Sequence, residues 1–241
     1  TRPGFVLGLS KLKDDVLVFY APETARNGMS VEIRSVRVVR VSPAQKRVLN
    51  DVEVYSKNDN LFFIPVVEND PSGNFCALII RSTPAKAGGM FNYGSALVKQ
   101  FETSGLTAIF LNDALQRTSK ELKTAAVDNG FVASCVDKNH NLYLASVSGQ
   151  QLTVEKFDAS GNPVDKLTDS INPRDKLHTH GVCEFDSIPG NAVNLLLDFE
   201  NHDKQNLVNL YHIDFAGKKV THAPEQVLDK DYARSLNGGS K

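Results

Sequence analysis

One recurring pattern constrains the fold of this 241-residue chain more than any other feature. In four segments an alternating strand is followed by a tight polar turn and a second short strand. The segments are VEIRSVRVVRVSPAQKRVLNDV, NYGSALVKQFETSGLTAIFLND, SGQQLTVEKFDASGNPVDKLTD and KQNLVNLYHIDFAGKKVTHAPE. The last apolar positions before their turns are Val41, Phe101, Phe157 and Ile213, which are separated by 60, 56 and 56 residues. A spacing this regular indicates an internal structural repeat.

The turns of these hairpins contain residues whose chemistry ends a strand. Asp158 begins the turn DASGN, and Asp214 begins the turn DFAGK. An aspartate at such a position accepts hydrogen bonds from the amides that follow it. Gly161 and Gly217 are predicted to take the positive φ that a tight hairpin turn requires.

A second, more apolar hairpin precedes each of the four segments. These hairpins are PGFVLGLSKLKDDVLVFYA, NLFFIPVVENDPSGNFCALIIRS, GFVASCVDKNHNLYLASV and HGVCEFDSIPGNAVNLLLDF. Each unit is therefore an apolar inner hairpin followed by a more polar outer one. A blade of a β-propeller needs this gradient, because its inner strands pack between neighbouring blades and its last strand faces solvent.

The pattern predicts one all-β domain over residues 1–241, a β-propeller-like array of four four-stranded blades. The predicted units are 3–56, 57–126, 127–177 and 178–230, with a polar tail over 231–241. A β-sandwich is the alternative, because its meandering strands show similar turn spacing. The helix-forming composition of residues 112–123, with a cap at Asn112 or Asp113, predicts a helical insertion after the fourth strand of the second unit.

Two phrases of the sequence resemble a known group of repeats. DKNHNLYLA at 137–145 and KFDASGNPV at 156–164 resemble the phrases D-x-x-G-N-L-Y-V and F-D-x-x-G of bacterial propeller repeats of the NHL-like and six-bladed kind. The resemblance covers the third unit well and the fourth partly, whereas the first two units lack the glycine or the aspartate. It implies architecture but no single activity, since the group includes binding scaffolds, lyases and hydrolases.

The chain offers no strand that would close a ring. After the last outer strand, near Val220 to Val227, only the polar tail follows. Propellers usually have roughly four to eight blades, so the four units are predicted to be part of a larger ring, completed by further copies or by a longer chain. The open edges are predicted to bind a protein partner or copies of the same chain.

Composition and charge narrow the classes of partner. The 27 basic and 28 acidic residues give a formal charge of −1, which provides no overall field for binding nucleic acid. No run of about 18 apolar residues predicts membrane insertion, so a soluble protein is expected. Cys76, Cys135 and Cys183 lie in apolar runs without CxxC spacing and are predicted to be small core residues.

The compartment stays open at this stage. The first residues lack the pattern of a signal peptide, but a chain that begins at Thr1 fits one whose targeting segment has been removed. Buried thiols fit a reducing compartment, although secreted propellers also carry them. Secreted, periplasmic and cytoplasmic locations are therefore all compatible with the sequence.

Three histidines form a candidate site for a divalent metal. His178 and His180 lie two residues apart and would point to the same side of an extended strand, with His202 on a neighbouring loop as a third ligand. The competing interpretation is that these are solvated loop histidines, since no HExxH phrase supports a metal site. Under that interpretation the chain needs no cofactor.

Loops on one face of a propeller, around its central channel, usually carry the binding site. The candidate ligand-binding residues on these loops are Arg26, Asn60, Arg81, Phe91, Tyr93 and Asn129. Phe91 and Tyr93 belong to the glycine-rich loop KAGGMFNY, where aromatic rings would stack on a carbohydrate or a peptide, or simply pack against the fold.

Nothing in the sequence carries a catalytic phrase for a nucleophile, such as Gly-x-Ser-x-Gly. This favours a non-enzymatic propeller scaffold for protein–protein interaction or ligand binding. One alternative is a metal-assisted lyase or hydrolase that acts on a carbohydrate through His178, His180 and His202. Another is a structural subunit of a larger assembly.

Overall fold

Successive strands form four antiparallel sheets in this computed structural model. The structure describes residues 5–22, 24–27, 30–33, 35–56, 62–70, 72–83, 105–126, 130–171, 176–177, 184–188, 191–200, 206–223 and 226–227. The first unit contains β1 (Phe5–Leu12), β2 (Asp15–Ala21), β3 (Thr24–Asn27), β4 (Ser30–Ile33), β5 (Ser35–Ser42) and β6 (Arg47–Ser56). Its sheet has the order β1-β2-β5-β6, and β3 pairs with β4 as a separate hairpin.

The other three sheets follow in chain order. The second sheet contains β7 (Phe62–Asn69), β8 (Cys76–Thr83), β9 (Gly105–Leu111) and β10 (Arg117–Glu121). The third contains β11 (Gly130–Val136), β12 (Leu142–Ser148), β13 (Gln151–Phe157) and β14 (Pro163–Ser170). The fourth contains β15 (Lys176–Leu177), β16 (Glu184–Ile188), β17 (Ala192–Glu200), β18 (Asn206–Asp214), β19 (Lys219–His222) and β20 (Gln226–Val227). In this sheet β15 and β16 both pair with β17, whereas β19 and β20 both pair with β18.

Three apolar cores lie between successive sheets. Leu17 and Phe19 of the first sheet pack with Leu78 of the second. Ile79, the next residue of β8, belongs instead to the core shared with the third sheet. Tyr143 of the third sheet packs with residues of the fourth. Neighbouring residues of one strand face opposite ways, so the second and third sheets are covered on both faces.

The stacking order identifies the architecture. The inner strands β1, β7, β11 and β16 lie beside one another in that sequence. A β-sandwich would have two sheets around one core, whereas here each successive sheet adds a core of its own. The fold is therefore an all-β, propeller-like array of four-stranded antiparallel sheets, as the repeat predicts.

Asparagine and aspartate side chains fix the turns between strands. Asp158 Oδ1 accepts hydrogen bonds from the amides of Ser160 and Asn162, at 2.8 and 2.9 Å. Gly161 in this turn has a φ of 74°, as predicted. The same pattern of bonds to amides that follow starts at Asp70, Asn112, Asp137 and Asp214.

The prediction for Gly217 is wrong. The residue with positive φ in that turn is Lys218, at 53°. Gly217 has a different role, because a Cβ atom there would lie 2.4 Å from Asp214 Oδ2 and the carboxylate would have to move. The carboxylate occupies this space while its Oδ1 atom accepts the Gly217 amide hydrogen at 2.9 Å.

The helical insertion predicted for residues 112–123 is also wrong. Residues 112–116 form a turn, and Arg117–Glu121 is the fourth strand of the second sheet. The repeat pattern predicts Gly105–Leu111 as the fourth strand of this unit, but it is the third strand, and the outer turn follows it at residues 112–116. Phe101, used as the reference position of this unit, lies outside the described residues. Leu115 has a φ of 54° and is buried in the core of the first two sheets, which a helix would not allow.

The predicted role of the cysteines is confirmed where the structure describes them. Cys76 and Cys135 are both buried. Burial raises the pKa of the Cys76 thiol to about 12, so this thiol stays protonated as a core residue. Cys183 lies outside the described residues. Among those residues the structure contains no helix of the length and apolarity that crossing a membrane requires.

Candidate functional site

One broad face of the first sheet, called here the free face, carries aliphatic side chains that no described element covers. Along each strand its side chains alternate with those of the opposite face, which packs on the second sheet. Its aliphatic residues include Leu9, Val16, Val18, Val39 and Val41. Leu9 lies opposite Val18, and Val18 lies opposite Val39, so these three form one row across three strands. Leu9 is 66% exposed.

A hydrogen-bonded polar group borders this row. Asp51 on β6 accepts a hydrogen bond from the Tyr20 hydroxyl at 3.1 Å and one from Arg37 Nε at 2.9 Å. The hydrogen bond to Asp51 is the main cause that raises the pKa of Arg37 above its ordinary value. The three side chains hold one another in place, and they set a tyrosine and an arginine beside the aliphatic row.

The fourth sheet has an outer face of its own, turned away from the third sheet. Leu196 on β17 lies opposite Leu210 on β18, and Leu210 is 42% exposed. Val208 is on the same side of β18, since it is two residues from Leu210. A polar pair lies next to these residues, with His212 Nδ1 3.1 Å from Asn194 Oδ1. This outer face is therefore an apolar patch with a polar border.

Polar contacts also join the inner strands around the axis of the array. The Ser10 hydroxyl of β1 donates a hydrogen bond to Asn69 Oδ1 of β7. The Ser134 hydroxyl of β11 donates to the carboxylate of Glu68, the preceding residue of β7. Burial raises the pKa of Glu68 to about 7, and the bond from Ser134 partly opposes this. Glu68 is thus placed to bind or release a proton near neutral pH.

A polar cluster at the turn end of the third sheet holds that sheet against the fourth. The Tyr143 hydroxyl donates to Asp137 Oδ2 at 2.9 Å. Lys156 Nζ donates to Asn191 Oδ1 and lies 5.6 Å from the centre of the Tyr143 ring. Burial is the main cause that raises the pKa of Tyr143, and the nearby Asp137 adds to it. A phenol that stays protonated here acts as a donor in the packing and not as a base.

The structure places few of the residues that the sequence singled out. Arg26 lies in β3, with its backbone opposite Val31, and Arg81 lies in β8, with its backbone opposite Ile64 and Leu106. Their side chains are outside the description. Asn60, Phe91, Tyr93, Asn129, His178, His180 and His202 lie outside the described residues altogether.

The described part therefore brings none of these candidates together. In the same part of the chain, histidine, cysteine, aspartate and glutamate side chains form no group of three or more that would hold a metal ion. The three histidines of the candidate metal site are not among the residues to which this finding applies.

The free face is a feature that the sequence reasoning missed. Its signal lies in DVLVFYA, where both sets of alternating positions are apolar. Leu17 and Phe19 are buried in the core, whereas Val16, Val18 and Tyr20 are only half-buried. A strand that is apolar on both sides is typical of a sheet covered on both faces. The strand β2 thus has the sequence of a strand in an interior blade.

Comparisons with known proteins support the architecture alone. No family model matches the chain, and no curated protein matches it in sequence. A variant of the NanB sialidase from Streptococcus pneumoniae has a TM-score of 0.57 at 10% identity, over 95% of this chain and 52% of that one. A variant of the Synechocystis apocarotenoid oxygenase has a TM-score of 0.54 at 11% identity, over 94% of this chain and 50% of that one.

An oligogalacturonate lyase in complex with manganese is similar as well. Its TM-score is 0.50 at 7% identity, over 92% of this chain and 66% of that one. These likenesses confirm a propeller-type fold. The chain spans about half the length of the sialidase and of the oxygenase, and the activities of these proteins are not carried over at such identities.

Proposed function

We propose that this chain is a non-enzymatic propeller scaffold that binds protein, and that the free face of its first sheet is the binding surface. One observation carries the proposal. A row of aliphatic side chains, with Leu9 66% exposed at its start, crosses the sheet on the side that no described element covers. Contiguous apolar surface of this kind marks interaction sites in folded proteins.

The chemistry around the row suits a protein partner. Valine and leucine side chains supply the apolar centre, and each such side chain contributes roughly 1.5–3 kcal/mol when it is fully buried. Tyr20 and Arg37 belong to the residue types that are enriched in protein interfaces. Their shared hydrogen bonds to Asp51 fix their positions before binding, so less side-chain entropy is lost on association.

The interior of the array supports the same interpretation. Wherever two successive sheets of the chain face each other, apolar side chains from both sheets are buried between them. Apolar sheet faces are thus stabilised by burial in three places within this chain. The aliphatic row of the free face has side chains of the same kind, and burial by a partner would stabilise them in the same way.

A Leu9→Lys variant tests the proposal, since it places a charge at the start of the row where the side chain is already exposed. The matched control is Val164→Lys, because Val164 is 55% exposed on β14, an outer strand of the third sheet. Circular dichroism of both variants should match that of the unmodified chain, which shows that both variants are folded. Proteins retained by the immobilised chain are identified, purified and titrated against all three forms.

We expect the control to bind a purified partner as the unmodified chain does, and Leu9→Lys to weaken binding by about tenfold or more, which corresponds to ~1.4 kcal/mol. Equal affinity for the unmodified chain and Leu9→Lys would place the interaction elsewhere and remove the free face as the binding surface. A partner lost equally with both variants would point to a nonspecific effect of the added charge and would also count against the proposal.

A further inference from the structure

We propose that the occupant of the free face is a second copy of this chain, which covers it with the outer face of its fourth sheet. The inference rests on the proposed function, because it uses the same surface and names its partner. Two copies joined in this way, each with its fourth sheet on the first sheet of the other, form a closed ring of eight sheets.

The two uncovered faces occupy the same strand positions as the faces that are already paired. Within the chain, the second and third strands of each sheet supply most of the side chains of the cores. Leu196 lies on the second strand of the main path of the fourth sheet, and Val208 and Leu210 lie on the third. Val18 and Val39 lie on the second and third strands of the first sheet. The missing contact therefore repeats the pattern of the existing ones.

The direction of stacking fixes which faces must meet. The first sheet packs on the second, the second on the third, and the third on the fourth. The next step in this series places the outer face of a fourth sheet on the free face of a first sheet. A single chain would make that contact by closing a four-sheet ring. Within the described residues, however, β16 and β1 do not pack closely against each other as the other successive inner strands do.

Two copies are the smallest number that satisfies both uncovered faces. A head-to-tail contact closes only when the rotations of the copies complete a circle. Eight sheets lie within the range of roughly four to eight blades that propellers show.

Light scattering coupled to size-exclusion chromatography, over a wide range of chain concentrations, tests the inference. We expect a dimer. Leu9→Lys changes the free face and Leu210→Lys changes the outer face of the fourth sheet, and each should raise the dissociation constant by about tenfold or more. Val164→Lys should remain dimeric. Val39→Thr keeps the shape of the side chain and serves as a milder change of the free face.

Mixing the two lysine variants separates a head-to-tail contact from a symmetric one. Leu9→Lys retains an intact fourth sheet, and Leu210→Lys retains an intact free face. A heterodimer of the two variants therefore has one unmodified contact. We expect the mixture to contain a larger fraction of dimer than either variant alone at the same chain concentration. Two free faces packed on each other would give no such recovery.

Each remaining result also decides the matter. An unmodified chain that is monomeric at every concentration overturns the inference, as do open-ended oligomers. So does a dimer that is lost in Leu9→Lys but kept in Leu210→Lys. A monomeric chain whose free face still binds another purified protein, with loss in Leu9→Lys, would leave the proposed function standing while the second copy is excluded as the partner.

Discussion

The Ser134 hydroxyl donates a hydrogen bond to the Glu68 carboxylate and so joins the inner strands of the second and third sheets. Burial raises the pKa of Glu68 from 4.5 to about 7. Between these two values the folded chain holds a proton that the unfolded chain releases, so stability falls as the pH rises through this window and levels off above it. The free energy of unfolding should thus be greater at pH 5 than at pH 8 as far as Glu68 contributes.

Glu68→Gln removes the titrating group and should flatten this part of the pH dependence. At about pH 8 the variant should be more stable than the unmodified chain by about 2 kcal/mol, since one pKa unit corresponds to ~1.4 kcal/mol and partial exposure reduces the full effect. Urea unfolding at pH 5 and pH 8 measures the free energy of unfolding of both forms. Glu121→Gln, a change at an exposed residue of the same sheet, is the control. Identical pH profiles for the unmodified chain and Glu68→Gln would exclude this role of Glu68.

Ser134→Ala removes the hydroxyl that donates the hydrogen bond to Glu68. The bond from Ser134 lowers the pKa of Glu68 against the effect of burial. Its loss should raise that pKa further, because the ionised form loses a donor. The variant should therefore lose more stability at pH 8 than at pH 5. A loss that is the same at both pH values would mean that the hydroxyl matters only for packing.

Much of the fold was predictable from strand alternation and turn residues, although the regular spacing is not kept in the second unit, where the third strand ends at Leu111 and not at Phe101. The third unit shows this best, since Asp158 accepts hydrogen bonds from the amides of Ser160 and Asn162, as its turn sequence predicts. Asn112 was wrongly predicted to cap a helix, because turns and helix caps both use a side chain that accepts hydrogen bonds from backbone amides two to four residues ahead. The burial of Leu115 against the first sheet and its positive φ decide in favour of the turn.

The candidate site was less predictable than the fold. Alternation shows which side chains share a face, but it does not show whether another sheet covers that face. Val18 and Leu17 are both apolar, and only the stacking order makes one half-buried and the other fully buried. Arg81 was selected as a loop residue, yet its backbone lies within β8 opposite Leu106.

Gly217 and Asp214 should show strong coupling in a double-mutant cycle. Gly217→Ala adds a Cβ atom that would lie 2.4 Å from Asp214 Oδ2. The substitution should lower the free energy of unfolding by about 1–3 kcal/mol. Asp214→Ala removes the obstruction but also the bonds to the amides of Ala216 and Gly217. The double variant should lose less than the sum of the two single losses. Strict additivity in urea unfolding would show that the turn relieves the clash without the carboxylate moving.

Metal analysis of the purified chain separates the scaffold proposal from a metal-assisted lyase or hydrolase. The scaffold should carry no stoichiometric zinc, calcium or manganese, and a chelator should leave thermal unfolding unchanged. The His178→Ala variant should then behave as the unmodified chain does in both measurements. One metal ion per chain, lost on His178→Ala and on His180→Ala, would instead support the enzyme and count against the scaffold.

Arg40 and Lys13 reach the same turn of the second sheet but should differ in their effect on stability. Arg40 Nε donates to Asp15 Oδ2 at 2.7 Å, with the two side chains 20% and 12% exposed, and its guanidinium also donates to the Asp113 carbonyl oxygen. Lys13 Nζ lies 2.6 Å from Asp113 Oδ2 in a pair that is half exposed on both sides. Arg40→Met leaves the Asp15 carboxylate buried without its cation, which should cost about 2–3 kcal/mol.

Lys13→Met should change the free energy of unfolding little, because solvent screens the exposed pair. Adding Asp15→Asn to Arg40→Met should recover part of the loss, since it removes the unpaired charge while keeping a side chain of nearly the same shape. Urea unfolding of the three variants measures both effects. Equal losses for Arg40→Met and Lys13→Met, or no recovery in the double variant, would show that burial of Asp15 is not what makes the Arg40 contact strong.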